Sequence, residues 1–129
     1  AVIYRSSWEQ KFMIYCDLNP LISNWGSETV EIPYFDRDRK PRRYFPDFFV
    51  EMVMGEDDHV PRRYIVEVKP YMETIKPKAP KTITAKSLES WEYQLKTYEK
   101  NICKWSEAEN WCNSRGMKFL LITERNLKV

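Results

Sequence analysis

The chain is 129 residues long, with 43% hydrophobic and 15% aromatic residues. That is enough for one domain with its own core, and too apolar for an intrinsically disordered segment. Charged residues make up 31% at a net charge of only +2, so overall charge does not mark the chain as a binder of polyanions.

No apolar run approaches the roughly 20 residues of a membrane span, so no membrane partner is expected, and no secretory leader is visible. Cys16, Cys103 and Cys112 form no CxxC pair and have no paired histidine for a zinc site. Reduced, mostly buried thiols in an intracellular compartment are the expectation.

Ser6-Ser7-Trp8-Glu9 opens the first element. Ser6 stands at the N-cap position and Glu9 three residues later, the capping-box arrangement. Phe12, Met13, Tyr15 and Cys16 supply an apolar stripe, and Asn19-Pro20 predicts the stop. Residues 22–27 and 28–34 read as two short strands with a turn near Gly26. The charged run 36–41 reads as a hairpin tip. Residues 43–54 read as a strand entered or interrupted at Pro46, whose missing N–H implies a bulge or an edge. Gly55-Glu56-Asp57-Asp58 is a turn, with His59 as an exposed turn residue, and residues 63–69 form the next strand. Pro70, Pro77 and Pro80 predict an ordered but irregular loop over 70–84. Ser87-Leu88-Glu89-Ser90 opens a long helical stretch to about Arg115, with a break near Asn101. Trp91, Trp105 and Trp111 read as its packing residues, and Gly116 takes the C′ position. Residues 117–123 close the chain as an apolar strand. This order predicts an α/β fold with a mixed central sheet flanked by helices, in a single domain over residues 1–129.

The chemistry concentrates between Tyr44 and Lys69. Tyr44-Phe45-Pro46-Asp47-Phe48-Phe49-Val50 sets an aspartate ahead of an apolar run. Tyr64-Ile65-Val66-Glu67-Val68-Lys69 sets Glu-x-Lys inside another. Strand alternation sends Glu67 and Lys69 to one face and Val68 to the other. Asp47 reaches the same face if the two strands pair as a hairpin. Two carboxylates and a lysine so placed can hold Mg²⁺, or Mn²⁺, and poise a water beside a phosphate. Asp47 and Glu67 are the expected ligands, with the Val68 carbonyl as a third oxygen. Lys69 would help deprotonate the water or neutralise charge developing on the phosphate. Basic residues flank this centre: Arg37, Arg39, Lys40, Arg42 and Arg43 before it, then Arg62, Arg63, Lys76, Lys78, Lys81 and Lys86. Such a distribution suits a polyanion, with Arg43, Arg63, Lys76, Lys78 and Lys81 as candidate contacts to DNA. Taken on charge alone, the same residues also read as solvated strand ends and a basic loop.

The Asp47, Glu67, Lys69 spacing is the PD-(D/E)xK layout of many nucleases. Around it, Tyr4-Arg5-Ser6-Ser7-Trp8-Glu9, Asp17-Leu18-Asn19-Pro20, Trp25-Gly26-Ser27-Glu28, Ile32-Pro33-Tyr34, Arg43-Tyr44-Phe45-Pro46-Asp47-Phe48 and Glu67-Val68-Lys69-Pro70 follow in order. In this series the chain resembles the TnsA-like endonucleases, and within them the head completion nucleases of large contractile-tailed phages. The resemblance implies a restriction-endonuclease-like fold and Mg²⁺-dependent endonucleolytic cleavage of DNA. It also implies action on packaged DNA during head completion and head–tail joining. Phage head and neck proteins would be partners, in the host cytoplasm and at the head–tail junction. It implies, too, that Glu9 joins the acidic cluster as a metal ligand or base, beyond its local capping use. Gln94 and Tyr98 form Gln-x-x-x-Tyr, similar to a motif of RecB-like exonucleases that contacts DNA. The rival expectations are a transposon end-cleaving subunit and a catalytically idle DNA-binding or structural neck protein.

Overall fold

Helix α1 (Ser7–Leu18) is followed by strands β1 (Ile22–Ser27), β2 (Ile32–Phe35), β3 (Pro41–Tyr44), β4 (Phe48–Met52) and β5 (Arg62–Val68). Helix α2 (Ala85–Asn113) and strand β6 (Lys118–Ile122) complete the order. This computed structural model describes residues 7–53 and 60–127. The expected cap at Ser6, the turn Gly55-Glu56-Asp57-Asp58 and His59 lie outside the described residues.

Strands β1, β4, β5 and β6 form one sheet in that order, and β2 and β3 form a separate antiparallel pair. β1 and β4, and β4 and β5, are antiparallel, while β6 runs parallel to β5. A parallel neighbour cannot be reached by a tight turn, and α2 supplies the crossover. α1 covers one face of the main sheet, packing Phe12, Met13 and Cys16 onto Phe48, Val50, Val66 and Val68. On the other face Ile65 meets Trp105, Ala108 and Cys112 of α2, with Ile32, Tyr34 and Tyr44 of the small sheet closing the same core. Each valine, isoleucine, phenylalanine or methionine among them contributes about 1.5–3 kcal/mol on full burial. A mixed sheet between helices in this order is the restriction-endonuclease-like α/β arrangement.

Three expectations need correction. Residues 43–54 are not one strand. β3 ends at Tyr44 and β4 begins at Phe48 in the other sheet. The fully buried Pro46 stands between them, where its fixed φ and missing N–H prevent the ladder from continuing. The strand expected from residue 28 begins only at Ile32. Glu28 has a φ of 54°, a left-handed conformation that no strand contains, and its N–H donates to the Asp47 carbonyl at 3.0 Å. Helix α2 starts two residues earlier than expected and runs unbroken through Asn101, which is buried on its packed face. Its 29 residues contain no glycine or proline, so nothing in it forces a break. A capping box between Thr84 and Ser87 opens it. It closes as a Schellman motif, with the Met117 N–H donating to the Cys112 carbonyl at 2.9 Å and Gly116 at φ 69°.

Among the described residues no helix is long and apolar enough to cross a membrane. All three cysteines are free. Burial pushes the Cys16 thiol up to about 12, aided by Asp17, and the Cys112 thiol up to about 11. Both are therefore inert packing residues at neutral pH.

Candidate active site

The register Phe48↔Val66 between β4 and β5 sets Asp47 opposite Glu67, one step further along the ladder. Directly opposed residues of an antiparallel pair share a face, so the two carboxylates point the same way. Val66 and Val68 belong to the α1 side of the sheet and Ile65 to the α2 side. Glu67, alternating with Val66 and Val68, therefore faces α2, and Lys69 is next on that face. The Asp47 carboxylate is fixed in place. Its Oδ2 accepts a hydrogen bond from the buried Val68 N–H at 2.8 Å. Lys69 is still tied to the sheet, since its N–H donates to the Ile122 carbonyl at 2.9 Å.

Asp47 and Glu67 are 6% and 5% exposed. Two buried carboxylates face to face repel each other and lose hydration, so their setting must compensate. They lie on the wall of a cleft of about 480 Å³ whose other walls are cationic. Lys69, Arg42, Arg43, Lys100 and Lys104 line it with Glu9, Tyr34, Tyr44, Phe45 and Val68. Glu9, half-buried in the first turn of α1, thus reaches the same cleft as the acidic pair. Burial pushes the Lys104 ammonium below its ordinary 10.5. Glu67 pulls it back up, Lys69 and Lys100 push it further down, and Asp47 acts with Glu67.

This donor set suits a hard divalent cation. Asp47 and Glu67 offer carboxylate oxygens in register, Val68 lines the same cleft beside them, and Glu9 supplies further acid there. Among the described residues no three His, Cys, Asp or Glu side chains are gathered into a ready-made cage. A pair of carboxylates, with water and substrate phosphate filling the remaining positions, is how Mg²⁺ is commonly held.

The other sequence candidates are dispersed. Arg43 borders the cleft, but its guanidinium is paired with Glu31 and lies over the Phe45 ring at 5.4 Å. Arg63 pairs with Glu51 across the β4–β5 ladder at 3.1 Å, towards the other end of β5. Lys76, Lys78 and Lys81 are exposed in the loop before α2 and do not line the cleft. Gln94 is exposed and Tyr98 half-buried; neither lines it. Both fall on the α2 stripe that continues into Asn101, Trp105, Ala108 and Cys112, but nearer its N-terminus. Lys100, Lys104, Tyr34 and Tyr44 were not among the sequence candidates. The one trace of them was a pair of lysines four residues apart beside the apolar stripe of a helix.

Comparison with known proteins bears on the same residues. Residues 19–124 match the family described as TnsA-like endonuclease N terminal. The chain is 36% identical over 129 residues to the head completion nuclease of Enterobacteria phage T4, covering 99% of this chain and 82% of that protein. No solved structure matches it. Asp47, Glu67, Val68 and Lys69 lie inside the family match, and Glu9 precedes it. With its acidic pair and lysine inside that region and a nuclease aligned along nearly its whole length, the chain belongs to the TnsA-like endonuclease family.

Proposed function

We propose that this protein is a Mg²⁺-dependent DNA endonuclease, with Mn²⁺ able to substitute, that acts on packaged DNA during phage head completion and head–tail joining. The observation that carries the reading is Asp47 in register with Glu67, with Lys69 next on the same face, in a cleft with cationic walls. Asp47 and Glu67 would hold the cation, with oxygen from the Val68 carbonyl and from Glu9. When bound, such an ion polarises a phosphate oxygen and makes a water acidic enough to attack near neutral pH.

The chain's own residues do the rest. The Val68 N–H holds Asp47 in one orientation, which limits rearrangement during the reaction. Lys69 presents a compact charge where negative charge grows on the phosphate. Where Glu9 is not itself a ligand of the cation, it would serve as the base that takes the proton from the attacking water. The basic walls draw the DNA backbone towards an acidic centre that would otherwise repel it. The role in head completion is supported by the name of the T4 relative, and it makes head and neck proteins the expected partners. The protein would act in the host cytoplasm and at the head–tail junction.

Nicking of supercoiled plasmid by the wild type and by Asp47→Asn tests the site. The wild type should convert plasmid to open circles with Mg²⁺, and the variant should be inert while folded. Equal nicking by both would remove Asp47 from the chemistry.

A further inference from the structure

In the proposed function the wall of the cleft formed by α2 has only a general attraction for DNA. Lys100 and Lys104 both line it, four residues apart and so neighbours on one helix face, where like charges repel. Among the described residues the Lys104 ammonium makes no hydrogen bond or ion pair. It lies over the face of the Tyr44 ring, 4.9 Å from the centroid. Tyr44 lines the same cleft and is 3% exposed, and its hydroxyl is buried without a hydrogen-bond partner among the described residues. A buried hydroxyl normally finds a partner, and an ammonium drawn out of water normally finds an anion. Here two lysines and the ring of a tyrosine with an unpartnered hydroxyl line one cleft.

We propose that Lys100, Lys104 and the Tyr44 hydroxyl form a seat for a phosphodiester group of the DNA strand that enters the cleft. The inference rests on the nuclease reading and deepens it, because it places the substrate backbone against α2. A phosphodiester fits the donors: it is anionic, has two free oxygens that accept hydrogen bonds, and recurs along the strand whatever the sequence. The bases are not needed, so the seat positions the strand without reading it. The competing account is that both lysines serve only to offset the charges of Asp47 and Glu67. Glu67 does raise the affinity of Lys104 for its proton, yet burial and the neighbouring Lys69 and Lys100 act against it.

Salt dependence separates the two accounts. The probe is a labelled duplex DNA fragment, titrated in EDTA across a range of salt concentrations, so that cleavage does not interfere. Lys104→Gln and Lys100→Gln should each weaken binding similarly on unrelated sequences. Each should also make the slope of log affinity against log salt shallower by about 0.9. Lys104→Arg should keep the slope, and Tyr44→Phe should weaken binding several-fold with the slope unchanged. If Lys104→Gln melts early, the exposed Lys100→Gln carries the test. Wild-type affinity and slope in both glutamine variants would overturn the seat and leave charge balance as the role of these lysines. The same holds for a wild type that cuts DNA with Mg²⁺ but does not bind it in EDTA. A wild type that neither binds nor cuts DNA would overturn the nuclease reading as well.

Discussion

The role proposed for Lys69 depends on charge rather than packing. Lys69 is half-buried, its backbone is held by β6, and its side chain opens into the cleft. Lys69→Ala should therefore leave the melting temperature unchanged and lower the cleavage rate by about 10²–10³, the loss seen when one stabiliser of developing charge is removed. Cleavage at the wild-type rate would exclude Lys69 from the site. Glu9 carries two readings that one substitution separates. A glutamine caps a helix start as well as a glutamate, so a purely local role predicts a silent Glu9→Gln. Its place in the cleft with Asp47 and Glu67 predicts loss of cleavage at an unchanged melting temperature. An active Glu9→Gln enzyme would leave a three-residue centre. Asp47, Glu67 and Lys69 were legible in the sequence because their geometry is local: period-2 alternation plus one hairpin register. Lys104 was not. Helical spacing shows that it neighbours Lys100, but only the crossover from β5 through α2 to β6 decides which end of the sheet that helix face meets.

The β2–β3 hairpin is the element whose behaviour follows most directly from its charges. Asp36 Oδ1 accepts hydrogen bonds from the N–H groups of Asp38 and Lys40 at 2.9 Å, and Arg42 Nε donates to Asp36 Oδ2 at 2.8 Å. Arg43 pairs with Glu31 along the same ribbon, and Arg37 reaches Glu99 of α2 at 3.3 Å. The bond from Arg42, then that from Lys40, holds the Asp36 carboxyl below its ordinary 3.8. Arg43 likewise holds Glu31 below 4.5. Because both are depressed in the folded state, their contribution is present above those ordinary values and lost as pH falls through the lower folded ones. The pairs are exposed, so the effect is small and local. Amide chemical shifts of residues 31–43 should move below about pH 4; a hairpin unmoved down to pH 2 would contradict this. The hairpin tip was readable from its run of charges. The switch of sheets at Pro46 was not: a proline marks a fault in the ladder, but which sheet the chain joins next depends on where Tyr44 and Phe48 find their cores.

Across the whole molecule, a net charge of +2 conceals a buried acidic pair inside a basic surround. The α/β layering was legible from the order of apolar periods. The division into two sheets was not, because strand pairing is settled by contacts distant in sequence. The loop carrying Lys76, Lys78 and Lys81 stands apart from the cleft, and its part in gripping DNA can be tested without disturbing the chemistry. If these lysines touch backbone phosphates, replacing all three with alanine should weaken binding equally on unrelated sequences, and the salt slope should lose about 0.9 per contact. Unchanged affinity and slope would make the loop a surface for head or neck proteins instead. In the proposed function the facing carboxylates work through a divalent cation. The most direct test of this follows plasmid cleavage by the purified protein in Mg²⁺, after excess EDTA, and after Mg²⁺ is restored. Cleavage, its complete arrest and its return are expected in turn; undiminished cleavage in EDTA would contradict the role of a metal ion.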